Sequence, residues 1–82
     1  MSYKLLYNDE AREQLKTLDK SVLIPILKKA AQIQHNPSIG NPLSNLLKNK
    51  RSVHVGKYRI VYIVVGEDIT IVRVRHRKDV YE

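Results

Sequence analysis

The spacing of apolar residues along this chain changes period twice. Tyr3 to Tyr7 is short and mainly apolar and predicts a strand. After it, Ala11, Leu15 and Leu18 recur at i, i+4 and i+7, the stripe of an amphipathic helix, with Arg12, Glu13 and Lys16 on its other faces. Asn8 or Asp9 is placed to cap that helix, and Glu10 and Glu13 suit its positive N-terminal end. The pattern ends it near Asp19 or Lys20. A second stripe, Ile26, Leu27, Ala30 and Ile33, predicts a helix over about Ser21 to His35. Pro25 is tolerated only in a first turn, so the expected start is near Leu23 or Ile24, or the helix kinks there. Two helices joined by so few residues predict an antiparallel hairpin.

Asn36-Pro37 stops the second helix. Residues 36–50, with Gly40, Pro37 and Pro42, predict a loop tied down by Leu43, Leu46 and Leu47. A connection of this length in a compact domain is usually functional. The period then becomes two. Arg51–Val55 sets Val53 and Val55 on one face and Ser52 and His54 on the other. Tyr58–Val65 is apolar on both faces, as a central strand should be, and Gly66-Glu67-Asp68 closes a hairpin. Ile69–His76 follows. Strict alternation sends Arg73, Arg75 and Arg77 one way, and Val72, Val74 and a buried, hydrogen-bonded His76 the other. The order strand, helix, helix, strand, strand, strand predicts an α+β fold. It has an N-terminal strand, then an antiparallel helical hairpin, then a mainly antiparallel sheet with the helices on one face. The other face is left open and carries the arginines. Without repeats, low-complexity runs or a linker, residues 1–82 are expected to form a single domain.

Charge sharpens this picture. The net charge is +7. Residues 1–47 hold six Lys/Arg and four Asp/Glu, whereas residues 48–82 hold nine and four. A positive face of this kind attracts polyanions, and arginines crowded on one strand face repel each other unless an anion sits among them. RNA is the leading partner on those grounds. With no Cys, disulfide scaffolds and Cys-ligated zinc are excluded, and a reducing cytoplasm is compatible. His35, His54 and His76 lack metal-ligand spacing with the few acidic residues, so no metal and no other cofactor is expected. The longest apolar run, Ile60 to Val65, is far too short to cross a membrane, no signal peptide is visible, and no membrane partner is expected.

Two segments carry a family resemblance: Gly56-Lys57-Tyr58-Arg59-Ile60-Val61-Tyr62, and His76-Arg77-Lys78-Asp79-Val80-Tyr81. Together with the helical hairpin and the Asn-Pro loop between them, they resemble the RelE/ParE toxin superfamily over nearly the whole chain. The resemblance implies the toxin of a type II toxin–antitoxin pair. RelE-like members enter the ribosomal A site and cut mRNA by attack of a ribose 2′-OH on the adjacent phosphate. ParE-like members inhibit DNA gyrase instead. Carried over residue by residue, Arg59 and Arg77 match the family's phosphate-holding arginines and Tyr81 its terminal tyrosine. Ser52 and His54 stand where the family has strand lysines. Imidazole titrates closer to neutrality than a lysine, so His54 is a candidate general base, and a plain polar residue on a solvated strand face is the alternative; the group that takes the 2′ proton stays open. Arg51, Lys57, Arg73 and Arg75 are expected to contact RNA. Guanidinium groups suit this chemistry because they bind phosphate oxygens bidentately. The implied partners are a small, wrapping RelB-like antitoxin, the ribosome and mRNA, and operator DNA through the antitoxin complex alone. Three alternatives stay open: gyrase inhibition, an inactive homologue that only binds its antitoxin, and a structural Arg59 paired with Asp79 or Glu67.

Overall fold

A computed structural model describes residues 3–43 and 49–79 of the chain. Its elements are β1 (Lys4–Tyr7), α1 (Asp9–Lys16), α2 (Lys20–His35), β2 (Asn41–Pro42), β3 (Lys50–Val55), β4 (Tyr58–Val65) and β5 (Asp68–His76). Short 3-10 turns cover Pro37–Ile39 and Arg77–Asp79. The strands form one sheet in the order β1-β5-β4-β3-β2. Among the described residues β1 and β5 run parallel, and the other pairs are antiparallel. A parallel pair needs a long crossover, and here both helices and three strands lie between its two members. Gly56 and Gly66 take φ of +59° in the two tight turns, a conformation that side chains with a Cβ avoid.

Local chemistry sets the helix ends. The Asn8 side chain accepts a hydrogen bond from the Ala11 amide at 2.8 Å, which fixes the start of α1. The helix stops at Lys16, earlier than its apolar stripe suggests. The Thr17 hydroxyl donates to the Gln14 carbonyl at 2.7 Å, and the Thr17 and Leu18 amides close tight final turns on Gln14 and Leu15. α2 starts before the expected Leu23 or Ile24. The amides of Val22 and Leu23 already bond to the Asp19 carbonyl, so Pro25 lies inside the helix. Its ring is exposed, and the carbonyl it leaves unbonded, that of Ser21, belongs to an exposed residue in reach of water.

One face of the sheet packs on the helices. Ile60, Tyr62, Ile69, Ile71 and Val74 form a continuous core with Ala11 of α1 and Ile26 and Ile33 of α2. With no Phe or Trp in the chain, Tyr62 is the largest fully buried side chain among the described residues. Its hydroxyl donates to the Pro37 carbonyl at 2.5 Å and accepts from the Gly40 amide at 3.0 Å. This is what ties down the long connection after α2. The connection is not a bare loop: it contains the Pro37–Ile39 turn and β2, which pairs with Arg51 and Ser52. Leu43, expected as an anchor, is 37% exposed, and Leu46 and Leu47 lie outside the described residues.

A β-bulge in β5 revises the alternation. Tyr62 pairs with Ile71 but Val61 pairs with Arg73, so Val72 is an extra residue without a partner on β4. Strict alternation would put Ile69 and Ile71 on the same face as Arg73 and Arg75. The bulge turns the strand over, and both Ile71 and Val74 reach the core while Arg73 and Arg75 emerge on the open face.

Candidate nucleic-acid interface

The open face is built by register. His54 on β3 is directly opposite Arg59 on β4, and Arg59 is directly opposite Arg75 on β5. Side chains so paired have their Cβ atoms about 5 Å apart. Three nitrogen-rich groups therefore stand in a row across three strands. The next row is Ser52, Val61 and Arg73, of which Ser52 and Val61 are buried and Arg73 is exposed, so the face is open only in part. Arg59 and Arg75 are half-buried, and the Nε–H group of each is shielded from solvent with no acceptor among the described residues. Buried donors are normally satisfied, so two adjacent N–H groups without an acceptor stand out on this face.

The same end of the sheet gathers more charge. The Arg77 amide donates to the Lys57 carbonyl at 2.7 Å, which holds the exit of β5 against the β3–β4 turn. A cleft of about 490 Å³ there is lined by Lys57, His76, Arg77 and Lys78. Arg77 belongs to the 3-10 turn and not to the strand, so it does not extend the Arg73 and Arg75 series as alternation predicts. His76 keeps its core-side register but is only half-buried. Its ring meets Tyr58 edge-on at 5.1 Å, and its Nδ1 accepts the Lys78 amide at 3.1 Å. That bond places the ring proton of the neutral imidazole on Nε2.

Other expected residues are placed differently. Arg51 points to the helix side, in register with Tyr62, and its guanidinium donates to the Gly40 carbonyl at 2.6 Å. It works with Tyr62 in holding the loop. Arg59 forms no ion pair with Glu67 among the described residues, Tyr81 lies outside them, and so does the Asp79 side chain.

Glu10 is the residue that periodicity missed. From the first turn of α1, its Oε2 accepts from Arg73 Nε and from Arg75 Nη2, each at 3.2 Å. The bond from Arg75, with the positive charge of both arginines, holds the Glu10 carboxyl below the usual range. α1 is seated on β5 by a further bond. The Gln14 side chain accepts the Val74 amide at 2.8 Å, where β1 no longer covers the strand edge. Burial pushes the Tyr62 hydroxyl up from its ordinary value, against the opposing pull of the Gly40 amide and the Arg51 charge, and burial does the same to Tyr7. Among the described residues no three His, Asp or Glu side chains converge as metal ligands, and no helix is long and apolar enough to cross a membrane.

Residues 5–81 match the family described as the ParE toxin of the type II toxin–antitoxin system, parDE. The chain belongs to this toxin family. Toxin RelG of Mycobacterium tuberculosis is 32% identical over 85 residues, covering 99% of this toxin and 98% of RelG. The RelBE2 toxin–antitoxin complex of the same organism aligns with a TM-score of 0.83 at 27% identity, over 94% of this toxin and all of that chain. A free E. coli RelE mutant gives 0.84 at 21% identity, over 98% and 88%, which speaks for the fold alone. The toxin thus has the RelE fold: an N-terminal strand, two helices and a five-stranded, mostly antiparallel sheet. Within that fold, Lys78 joins the basic cleft, which the sequence hints at only by its position beside Arg77.

Proposed function

We propose that this toxin binds RNA on the open sheet face and cleaves mRNA in the ribosomal A site, without a metal. The observation that carries this reading is the row His54, Arg59 and Arg75, with two buried N–H groups lacking an acceptor. A phosphodiester oxygen fits that demand, because guanidinium groups bind phosphate in a planar, charge-assisted way. In the reaction, the ribose 2′ oxygen bonds to the adjacent phosphorus and the bond to the 5′ oxygen breaks. The 2′ proton leaves to a base, and the departing 5′ oxygen takes up a proton. His54 stands at the end of the row as the base. Arg59 and Arg77 stabilise the charge that builds on the phosphate, and Lys57, Arg73 and Arg75 contact the RNA. Tyr81 stacks on or orients a nucleotide. Arg51 leaves this set, because its guanidinium is engaged with Gly40.

The partner in this reading is a RelB-like antitoxin that covers the basic face. Toxin–antitoxin complexes recur among the similar structures, including RelB–RelE of Methanococcus jannaschii with a TM-score of 0.77 at 25% identity. Operator DNA is met only through that complex, and the toxin acts on cytoplasmic ribosomes. Primer extension on a defined mRNA, with purified protein and programmed ribosomes beside mRNA alone, tests the proposal. Cuts inside the A-site codon only with ribosomes are expected. Intact mRNA treated with folded protein would overturn it.

One observation favours a second reading. The matched family is named for ParE, and Ile24 and Leu27 on α2 stand 50% and 43% exposed. On this reading the helices are a docking surface and the protein inhibits DNA gyrase without cutting RNA. Arrested replication with intact mRNA in expressing cells would select it.

A further inference from the structure

Glu10 sits where an RNA phosphate would sit. One of its oxygens, Oε2, bridges Arg73 Nε and Arg75 Nη2 at 3.2 Å each, on the open face of the sheet. A carboxylate and a phosphodiester carry the same single negative charge and present oxygen acceptors to guanidinium groups in the same geometry. We propose that Glu10 is an internal stand-in for phosphate, which keeps Arg73 and Arg75 from RNA until a phosphate displaces it. This rests on the RNA-binding reading above and names a device that regulates the same site.

Three features support exchange over a permanent structural pair. First, all three side chains are open to solvent, with 44% of Arg73, 37% of Arg75 and 43% of Glu10 exposed, and pairs of this kind are weak. Second, α1 is fixed over β5 by the Asn8 amide, which donates to the Ile71 carbonyl at 3.1 Å, and by the Gln14 bond to Val74. The Glu10 carboxylate is therefore always at hand, and a tethered competitor acts at high effective concentration. Third, Glu10 uses only part of what Arg75 offers. Arg75 Nε, beside Arg59 Nε, stays without an acceptor while Nη2 is occupied. A phosphate arriving at Arg59 finds that N–H free and draws Arg75 across.

The consequence is a division among the cations. Arg59, Lys57, Arg77 and Lys78 meet any polyanion at once. Arg73 and Arg75 contribute only when a phosphate is seated well enough to replace Glu10. Loosely associated RNA then gains little from two of the arginines on the face.

The test is the salt dependence of binding to a short fluorescein-labelled oligouridine, read by anisotropy. Glu10→Gln removes the competing charge in nearly the same shape. Its affinity is expected to rise roughly two- to thirtyfold at low salt. Its slope of log affinity against log salt should steepen by about 0.7 for each arginine released onto a single-strand phosphate. Glu13→Gln is the control: it makes the same change in net charge on the same helix, but among the described residues Glu13 pairs with Lys16 alone. A cycle with Arg73→Ala adds a second readout. Losing Arg73 should matter little when Glu10 is present and weaken binding clearly in the Glu10→Gln background. Equal slopes for wild type and Glu10→Gln, or an equal steepening in Glu13→Gln, would overturn the inference and leave RNA binding standing. No RNA binding by wild type or variant would instead overturn the RNA reading, and this inference with it.

Discussion

Replacing Tyr62 with Phe removes one oxygen atom and tests what holds the 37–40 segment to the sheet. Tyr62 is fully buried, and its hydroxyl serves two backbone groups, the Pro37 carbonyl and the Gly40 amide. The ring remains after the substitution, so packing changes little. Gly40 is buried, and its amide loses its acceptor. A buried donor left unsatisfied costs about 1–3 kcal/mol. Pro37 is half-buried, so water can partly replace its lost donor and adds at most about 1 kcal/mol. The expected loss is about 2 kcal/mol, a large share of the roughly 5–15 kcal/mol that holds a domain together. Urea unfolding followed by circular dichroism reads it as a lower midpoint with an unchanged slope. In a domain of this size the melting temperature should fall by about 10 °C. Tyr7→Phe is the control, because its hydroxyl makes no hydrogen bond among the described residues. Gly40→Ala attacks the same joint from the other side. A Cβ there would collide with the Tyr62 hydroxyl and stand 2.9 Å from the Ser52 carbonyl, which is strand backbone and cannot yield. A loss under about 0.5 kcal/mol for Tyr62→Phe, no larger than for Tyr7→Phe, would refute the anchoring argument.

Other outcomes follow from single contacts. Asn8→Ala frees the Ala11 amide and should cost about 1 kcal/mol in the same unfolding assay. Glu10 should titrate, by carboxyl carbon NMR, below an ordinary glutamate, and Arg75→Ala should move it back up, since the Arg75 bond is the main cause. Because its folded value is depressed, the Glu10 contribution to stability is present above the unfolded value. It fades as pH falls through the folded one. Arg59→Ala should cut A-site cleavage by roughly a hundredfold or more, the scale for losing a donor to developing charge. Its thermal melt should move little, because no ion pair to Arg59 is seen among the described residues.

The elements most legible in the sequence were those with a long, regular period. The doubly apolar β4 and the Gly66 turn stand where patterning places them, whereas the helix stripes hold in part: Leu18 lies beyond the end of α1 and Leu27 is exposed. The strands that carry His54 and Arg59 were legible, but their direct pairing across the Gly56-Lys57 turn comes from the folded register. What escaped was non-local or broke the period. The Val72 bulge adds a residue that no composition signal marks, and it decides which face every later residue of β5 takes. Glu10 looked like a helix-end acid, and its partners lie more than sixty positions away. Arg51 looked like an RNA contact, but its guanidinium donates to a backbone carbonyl that the folded loop provides. Pro25 looked like a start signal, yet α2 begins at Lys20, where Val22 packs on the core and the Val22 and Leu23 amides bond to the Asp19 carbonyl.

The extra residue at Val72 also separates two lineages of change within one strand. On its N-terminal side, Ile69 and Ile71 answer to the core; on its C-terminal side, Arg73 and Arg75 answer to whatever the open face meets. Each half keeps its own parity. The far half can gain, lose or reorder charges to suit a new target while the near half keeps the same inward residues. A shift of one residue at the joint does the reverse, exchanging cations for core in a single step. The bulge is thus both the hinge on which specificity can vary and the place where an insertion or deletion is least survivable.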